Sequence, residues 1–214
     1  MLANSDIVWA IHKMMDEIGP VKPSLDSRTD FQYLISVILS AQATDVSVNK
    51  VTPKLFQKYP DASNMADADI LEIEDIIKSV GLFHNKAKNI KKCSQELIEN
   101  FDGTVPQDRE KLMQLSGVGR KTANVVISDR FNIPAFAVDT HVSAISKRLH
   151  FVKKDANPLE IETKITSVLP KSEWTKAHHT MIEFGRKYSM KLTVEKEICS
   201  LIIECDKLNN KKKQ

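Results

Sequence analysis

The stretch that decides the reading is Leu115-Ser116-Gly117-Val118-Gly119-Arg120-Lys121-Thr122-Ala123-Asn124-Val125-Val126. A short helix, capped by Asp108 and ending at Leu115, meets a turn with two glycines, and a second helix runs from Arg120 to Phe131. Glycines let a backbone approach a phosphate closely with several N–H groups aimed at it, and the second helix adds its positive N-terminal end. Val118 at the tip has no hydrogen-bonding side chain, so contact there goes through backbone. Arg120 and Lys121 add positive charge. A nucleotide phosphate loop does not fit: Arg120 stands where glycine must precede the lysine, and no strand leads in. On these residues alone two readings stay open, an αα-corner with a solvated Lys121 or a turn that grips DNA backbone without reading sequence.

Outward from the hairpin the apolar spacing is helical almost throughout, and the fold class is all-α. Ile7, Ile11, Met14, Met15 and Ile18 recur at three and four after Ser5-Asp6, and Pro20 and Pro23 end that helix. Asp30 opens a second, burying Phe31, Leu34, Ile35, Ile38 and Leu39, and Thr44 or Asp45 caps a third through Leu55. Further helices are predicted over 67–80 and 85–101, with Asp102-Gly103 as a turn. Residues 133–138 read as extended, then Asp139 caps a helix to Leu149. Others follow from Asn157-Pro158 to near Pro170, over 172–188 and over 195–205. A seam falls near Ile133-Pro134. Most methionines, and Trp9 and Trp174, are expected in packing roles.

The whole chain, 214 residues with 42% hydrophobic and 28% charged content, is long enough to bury a core unaided and is not a disordered composition. Three cysteines, Cys93, Cys199 and Cys205, argue against a secreted disulfide framework. The net charge of +3 conceals an asymmetry: residues 1–80 carry 7 basic and 12 acidic groups, residues 81–133 carry 9 and 6, and residues 134–214 carry 15 and 10. The basic excess begins in the segment with the hairpin, which is compatible with a polyanion partner. No export signal or membrane span is visible, so the expected location is cytoplasmic. His178-His179 are expected to be structural, since neighbours on a helix point in different directions.

Three stretches together resemble endonuclease III, within the helix-hairpin-helix DNA glycosylase superfamily. They are Leu39-Ser40-Ala41-Gln42-Ala43-Thr44-Asp45-Val46-Ser47-Val48-Asn49-Lys50, the hairpin, and Val138-Asp139-Thr140-His141. The resemblance implies two helical domains with a DNA-binding cleft: a six-helix barrel with the hairpin over 21–133, and a second domain from 1–20 plus 134–214. It implies base-excision repair of damaged double-stranded DNA, by a monomer, with a flipped oxidised pyrimidine as substrate. Lys121 matches the catalytic lysine, whose amine would attack C1′ and form a Schiff base that leads to β-elimination 3′ to the site. Asp139 matches the catalytic aspartate. Gln42 and Leu82 match positions that enter the duplex, although an apolar residue between two helices, as Leu82 is, more often caps a core. Gly117, Val118, Gly119, Arg120 and Thr122 match the DNA-binding hairpin. Ser116 stands where many relatives have proline, which is expected to loosen the turn slightly. The alternatives are a monofunctional or differently specific glycosylase, or a non-catalytic DNA-binding module.

The resemblance also brings a cofactor into question. Many endonuclease III proteins hold a [4Fe–4S] cluster on four cysteines spaced C-x6-C-x2-C-x5-C. Aligned here, those positions are Ser189, Lys196, Cys199 and Cys205. A cubane wants four thiolates, so the cluster is expected to be absent, with Met190, Leu192, Val194, Ile198 and Leu201 packing the segment instead. Phe184 replaces a histidine common before Gly-Arg in relatives.

Overall fold

A computed structural model describes residues 1–188 and 200–211. Among them there are helices and no strand. The chain divides into two compact units, Met1–Pro23 with Pro134–Gln214, and Ser24–Ile133. They are called the terminal unit and the hairpin unit below.

The hairpin unit is built around α2 (Asp30–Ser40). Every residue from Phe31 to Leu39 is buried, including Gln32 and Ser36. A helix apolar all round must be surrounded, and α3 (Asp45–Lys58), α6 (Phe83–Phe101) and α8 (Arg120–Phe131) pack against it. Thr29 caps α2 by accepting from the Gln32 N–H, and Thr44 caps α3 by accepting from Ser47. Two polar ties fix α8 on α2. The Tyr33 hydroxyl donates to Asp129 at 2.5 Å, and Arg130 pairs with Asp30 at 2.7 Å. Burial, then the Asp129 charge, pushes the Tyr33 hydroxyl well above its usual pKa. Cys93 lies fully in this core, and burial pushes its thiol up to about 12.

The helix expected over 67–80 is the shorter α5 (Ile70–Ile77), capped by Asp69, and a separate one-turn helix, α4 (Ala62–Ala66), capped by Asp61, precedes it. One turn of helix carries too little periodicity to be read, and Asp69 caps a fresh start. The short helix before the hairpin, α7, spans only Arg109–Leu112.

The terminal unit packs α1 (Asn4–Ile18), α9 (Thr140–Arg148), α10 (Pro158–Val168), α11 (Trp174–Lys187) and α12 (Ser200–Lys211) around one core. Ile7, Ile11 and Met14 meet Phe136, Val142, Ile145, Phe151, Met181 and Phe184 there. Trp9 and Trp174 pack against its edge, and the Trp174 indole N–H donates to the Leu169 carbonyl. Met14, Met15, Met65 and Met181 are buried, whereas Met113 is exposed.

The C-terminal helix differs from the span of 195–205. Residues 195–199 lie outside the described residues, and α12 continues through Lys211. Leu201, Cys205, Leu208 and Asn209 line its inner face. The Arg148 guanidinium grips the Asp206 carboxylate with two bonds at 2.9 and 3.0 Å, His150 adds a third at 2.8 Å, and the Met1 ammonium donates to Asn209 at 2.9 Å.

The Arg148 bonds, with His150, hold the Asp206 carboxyl below the usual carboxylate range. Its contribution to stability is therefore complete above the unfolded carboxyl value of about 3.9, and is lost as pH falls through the lowered folded value. We expect Asp206→Asn to cost about 1 kcal/mol at pH 7, a modest figure because the pair is partly exposed. The difference from wild type should shrink below about pH 3. Urea denaturation at the two pH values checks this, and equal midpoints at pH 7 would refute it.

Candidate active site

The hairpin is held by the absence of a side chain. Gly117 has a φ of +79°, and a Cβ there would sit 3.0 Å from Asn89 Cβ on α6 and 3.0 Å from Ile38 Cγ2 on α2. Only glycine takes this left-handed conformation without strain and also permits that approach. Val118 turns inward and is buried, its N–H donating to the Leu115 carbonyl at 3.1 Å, so at the tip the backbone is what remains outside. Gly119 begins α8 with no side-chain cap, and a Cβ added to it would meet nothing within 4 Å. The first turn of α8 thus begins without a side-chain cap, an arrangement suited to an anion.

Lys121 is half-buried in that first turn and Thr122 is buried. The rest of α8 through Ser128 is buried, which fixes the helix that carries Lys121. Ser116 does not loosen the turn. Its N–H donates to Glu96 Oε2 at 2.6 Å and its hydroxyl to Glu96 Oε1 at 2.8 Å. A proline could make neither bond.

Gln42 and Leu82 occupy neighbouring loops of the same unit. Gly81 lies against the Gln42 carbonyl, with its Cβ position 3.9 Å away. Both Gln42 and Leu82 are left-handed, with φ of 54° and 60°. Leu82 is not the buried cap leucine its position suggests: it is 57% exposed at the start of α6. An apolar residue held in a disfavoured conformation and in water points to function. His84 anchors the loop through Glu74 at 2.9 Å.

Asp139 belongs to the terminal unit. It caps α9, its Oδ1 accepting the Val142 N–H at 2.8 Å. Two contacts from α11 fix the segment around it. The buried His178 ring bonds through Nδ1 to the Ala137 carbonyl at 2.9 Å, and His141 packs where Gly185 leaves no room for a side chain. The His178 and His179 rings lie 4.9 Å apart, tilted by 59°. Among the described residues no group of three histidine, cysteine or acidic side chains could hold a metal.

Of the cluster positions, Ser189, Lys196 and Cys199 lie outside the described residues, as do Met190, Leu192, Val194 and Ile198. Cys205 and Leu201 are buried in the terminal core. Glu96 and the tie from His178 to Ala137 escaped the sequence reading. Their partners lie 20 and 41 residues away, and no local pattern links them.

Residues 35–171 match the HhH-GPD superfamily of base excision DNA repair proteins. The chain is 42% identical to endonuclease III of Bacillus subtilis (strain 168), over 96% of this chain and 94% of that one. It is 49% identical to endonuclease III of Synechocystis sp., over 76% and 74%. Its structure is similar to that of a trapped endonuclease III–DNA covalent intermediate, with a TM-score of 0.93 and 42% identity, covering 99% and 100% of the two chains.

The two hairpin glycines should respond differently to a methyl group. Gly117→Ala meets both left-handed strain and two close neighbours, and should cost roughly 2–4 kcal/mol. Gly119→Ala has open space and an ordinary φ, and should cost no more than about 1 kcal/mol. Thermal or denaturant unfolding of the two variants measures this, and equal losses would contradict the geometry.

Proposed function

This chain belongs to the endonuclease III family, in the HhH-GPD superfamily of base excision DNA repair proteins, and is a DNA glycosylase with AP lyase activity; from that premise we propose that Lys121 and Asp139 carry the chemistry. The observation that carries this reading is Lys121 itself. It is a half-buried amine on the first turn of a helix fixed by burial, directly after a turn that presents backbone donors. The covalent endonuclease III–DNA intermediate, of matching fold, is what such an amine would form.

The duplex backbone would rest on the Gly117–Gly119 turn and the first turn of α8, with Arg120 and the N–H of Thr122 in the same contact. Leu82 would enter the stack as a wedge with Gln42 beside it, filling the space left by an extruded nucleotide. The neutral Lys121 amine would attack C1′, and the base would leave with the glycosidic electron pair. Loss of the ammonium proton and opening of the C1′–O4′ bond, with O4′ taking up a proton, then give an iminium that acidifies the 2′-proton, and removal of that proton expels the 3′-phosphate. Asp139 would stabilise positive charge as it develops on the sugar. The substrate proposed is an oxidised pyrimidine in double-stranded DNA, acted on by a monomer.

The family's [4Fe–4S] cluster does not fit this chain. Serine and lysine at two of four ligand positions cannot replace thiolates, and Cys205 packs among apolar side chains. We propose that the enzyme works without it, with α12 held by Arg148, His150 and the N-terminus. Among the described residues no helix is long and apolar enough to cross a membrane.

Incubation with abasic duplex and borohydride tests the lysine. Wild type should give a covalent adduct and Lys121→Ala none, and a wild type without adduct overturns the assignment. Purified protein should lack stoichiometric iron and a visible iron–sulfur band, and finding both would refute the cluster proposal.

A further inference from the structure

Glu96 holds the entrance to the DNA-binding turn. Each of its two carboxylate oxygens accepts one bond from Ser116, at 2.6 Å from the N–H and 2.8 Å from the hydroxyl. Ser116 immediately precedes Gly117, so the clasp acts where the chain bends. The carboxylate is largely shielded, its side chain 19% exposed, and the Lys92 ammonium one turn earlier lies 3.8 Å from Oε1. Bonds to an ionised acceptor are stronger than neutral ones, and a fork of two fixes orientation as well as distance.

The placement on α6 is informative. Asn89 and Glu96 lie seven residues apart on this helix, and residues so spaced share a face. Leu82 starts the helix in its exposed, left-handed position, Asn89 abuts Gly117, and Glu96 clasps Ser116. Helix α6 thus begins next to Leu82 and carries the Asn89 and Glu96 contacts on the turn, with Ile38 of α2 making the other. The rise of about 1.5 Å per residue sets roughly 20 Å between Leu82 and Glu96.

A negative charge beside an anion-binding turn opposes phosphate unless it is occupied. Here the Ser116 donors aim both oxygens at the turn's own chain, and Lys92 at 3.8 Å offsets the charge. A proline at this position would hold the turn by its own fixed φ and need no partner. Serine leaves the turn freer, and the carboxylate on α6 restricts it.

We propose that Glu96 is a positioning residue for DNA binding: by clasping Ser116 through both oxygens, it keeps the Gly117–Gly119 turn in the shape that receives the DNA backbone. This rests on the reading of the hairpin as the DNA contact. The clasp governs the turn and leaves α8 alone, because α8 is fixed by its own burial. Its loss should therefore weaken binding and spare the chemistry of Lys121.

The test measures the Kd for a duplex with a tetrahydrofuran abasic analogue, which cannot form the Schiff base, and the single-turnover borohydride-trapping rate on an abasic duplex at saturating enzyme, together with the unfolding midpoint. With the competent turn only partly populated, the apparent Kd rises by the reciprocal of that population. We expect Glu96→Ala to raise Kd about tenfold and to change the saturated rate less than about twofold. Ser116→Ala, which keeps the N–H bond, should raise Kd about threefold, and the double variant should bind no worse than Glu96→Ala alone. Adding Ser116→Pro to Glu96→Ala should restore binding, since proline shapes the turn without the clasp. A wild-type Kd in Glu96→Ala, additive losses in the double variant, or equal falls in binding and rate with a lowered midpoint would each overturn the proposal. The two readings fail separately: no wild-type adduct sinks the lysine assignment, whereas a normal adduct with unaffected Glu96 variants sinks only the clasp.

Discussion

Where Gly117 meets α2 and α6, a Cβ added to the glycine would lie 3.0 Å from either Asn89 or Ile38. Much of the hairpin unit serves that contact. Helix α2 can present Ile38 there because it is buried along its whole length, enclosed by α3, α6 and α8. Helix α6 presents Asn89 from its middle and Glu96 two turns on. Seating Gly117 turns Val118 inward, which leaves backbone at the tip and brings Gly119 to the start of α8. Apolar enclosure thus produces a polar surface, because the turn can expose its N–H groups only when its one large side chain has somewhere to go.

The terminal unit solves a different problem with similar means. Asp139 serves as the N-cap of α9, so a backbone N–H holds one of its carboxylate oxygens in place. The extended segment before it has no helix to satisfy the Ala137 carbonyl, and a buried histidine from α11 does so. Farther along, α12 is tied down by charge and by its apolar face. Arg148, His150 and the N-terminal ammonium reach it from distant parts of the chain.

Much of this was legible from the residues in order. The span of α8, the caps at Thr44, Asp108, Asp139 and Asn157, and the apolar faces of α1 and α2 follow from local rules of spacing and capping. Short elements escaped, α4 among them, because one turn offers no period to count. Leu82 shows the other kind of miss. Its type and position between helices suit a buried cap, yet a left-handed backbone at the start of α6 turns it into solvent. Ser116 shows a third. Seen as a missing proline it implies slack, and only its partner on another helix reverses that.

By itself the sequence determined the helical class, the two-glycine turn with Lys121 on the following helix, and the family likeness, because periodicity, caps and motifs are carried by residues close in the chain. The tertiary structure decided which side chains hold those motifs in place. Glu96 on Ser116, His178 on Ala137, Ile38 and Asn89 against Gly117, and Arg148 on Asp206 join residues from 20 to 79 positions apart. Such pairs leave no periodic trace, since a hydrogen bond or a close approach depends on where two elements pack and not on how many residues separate them.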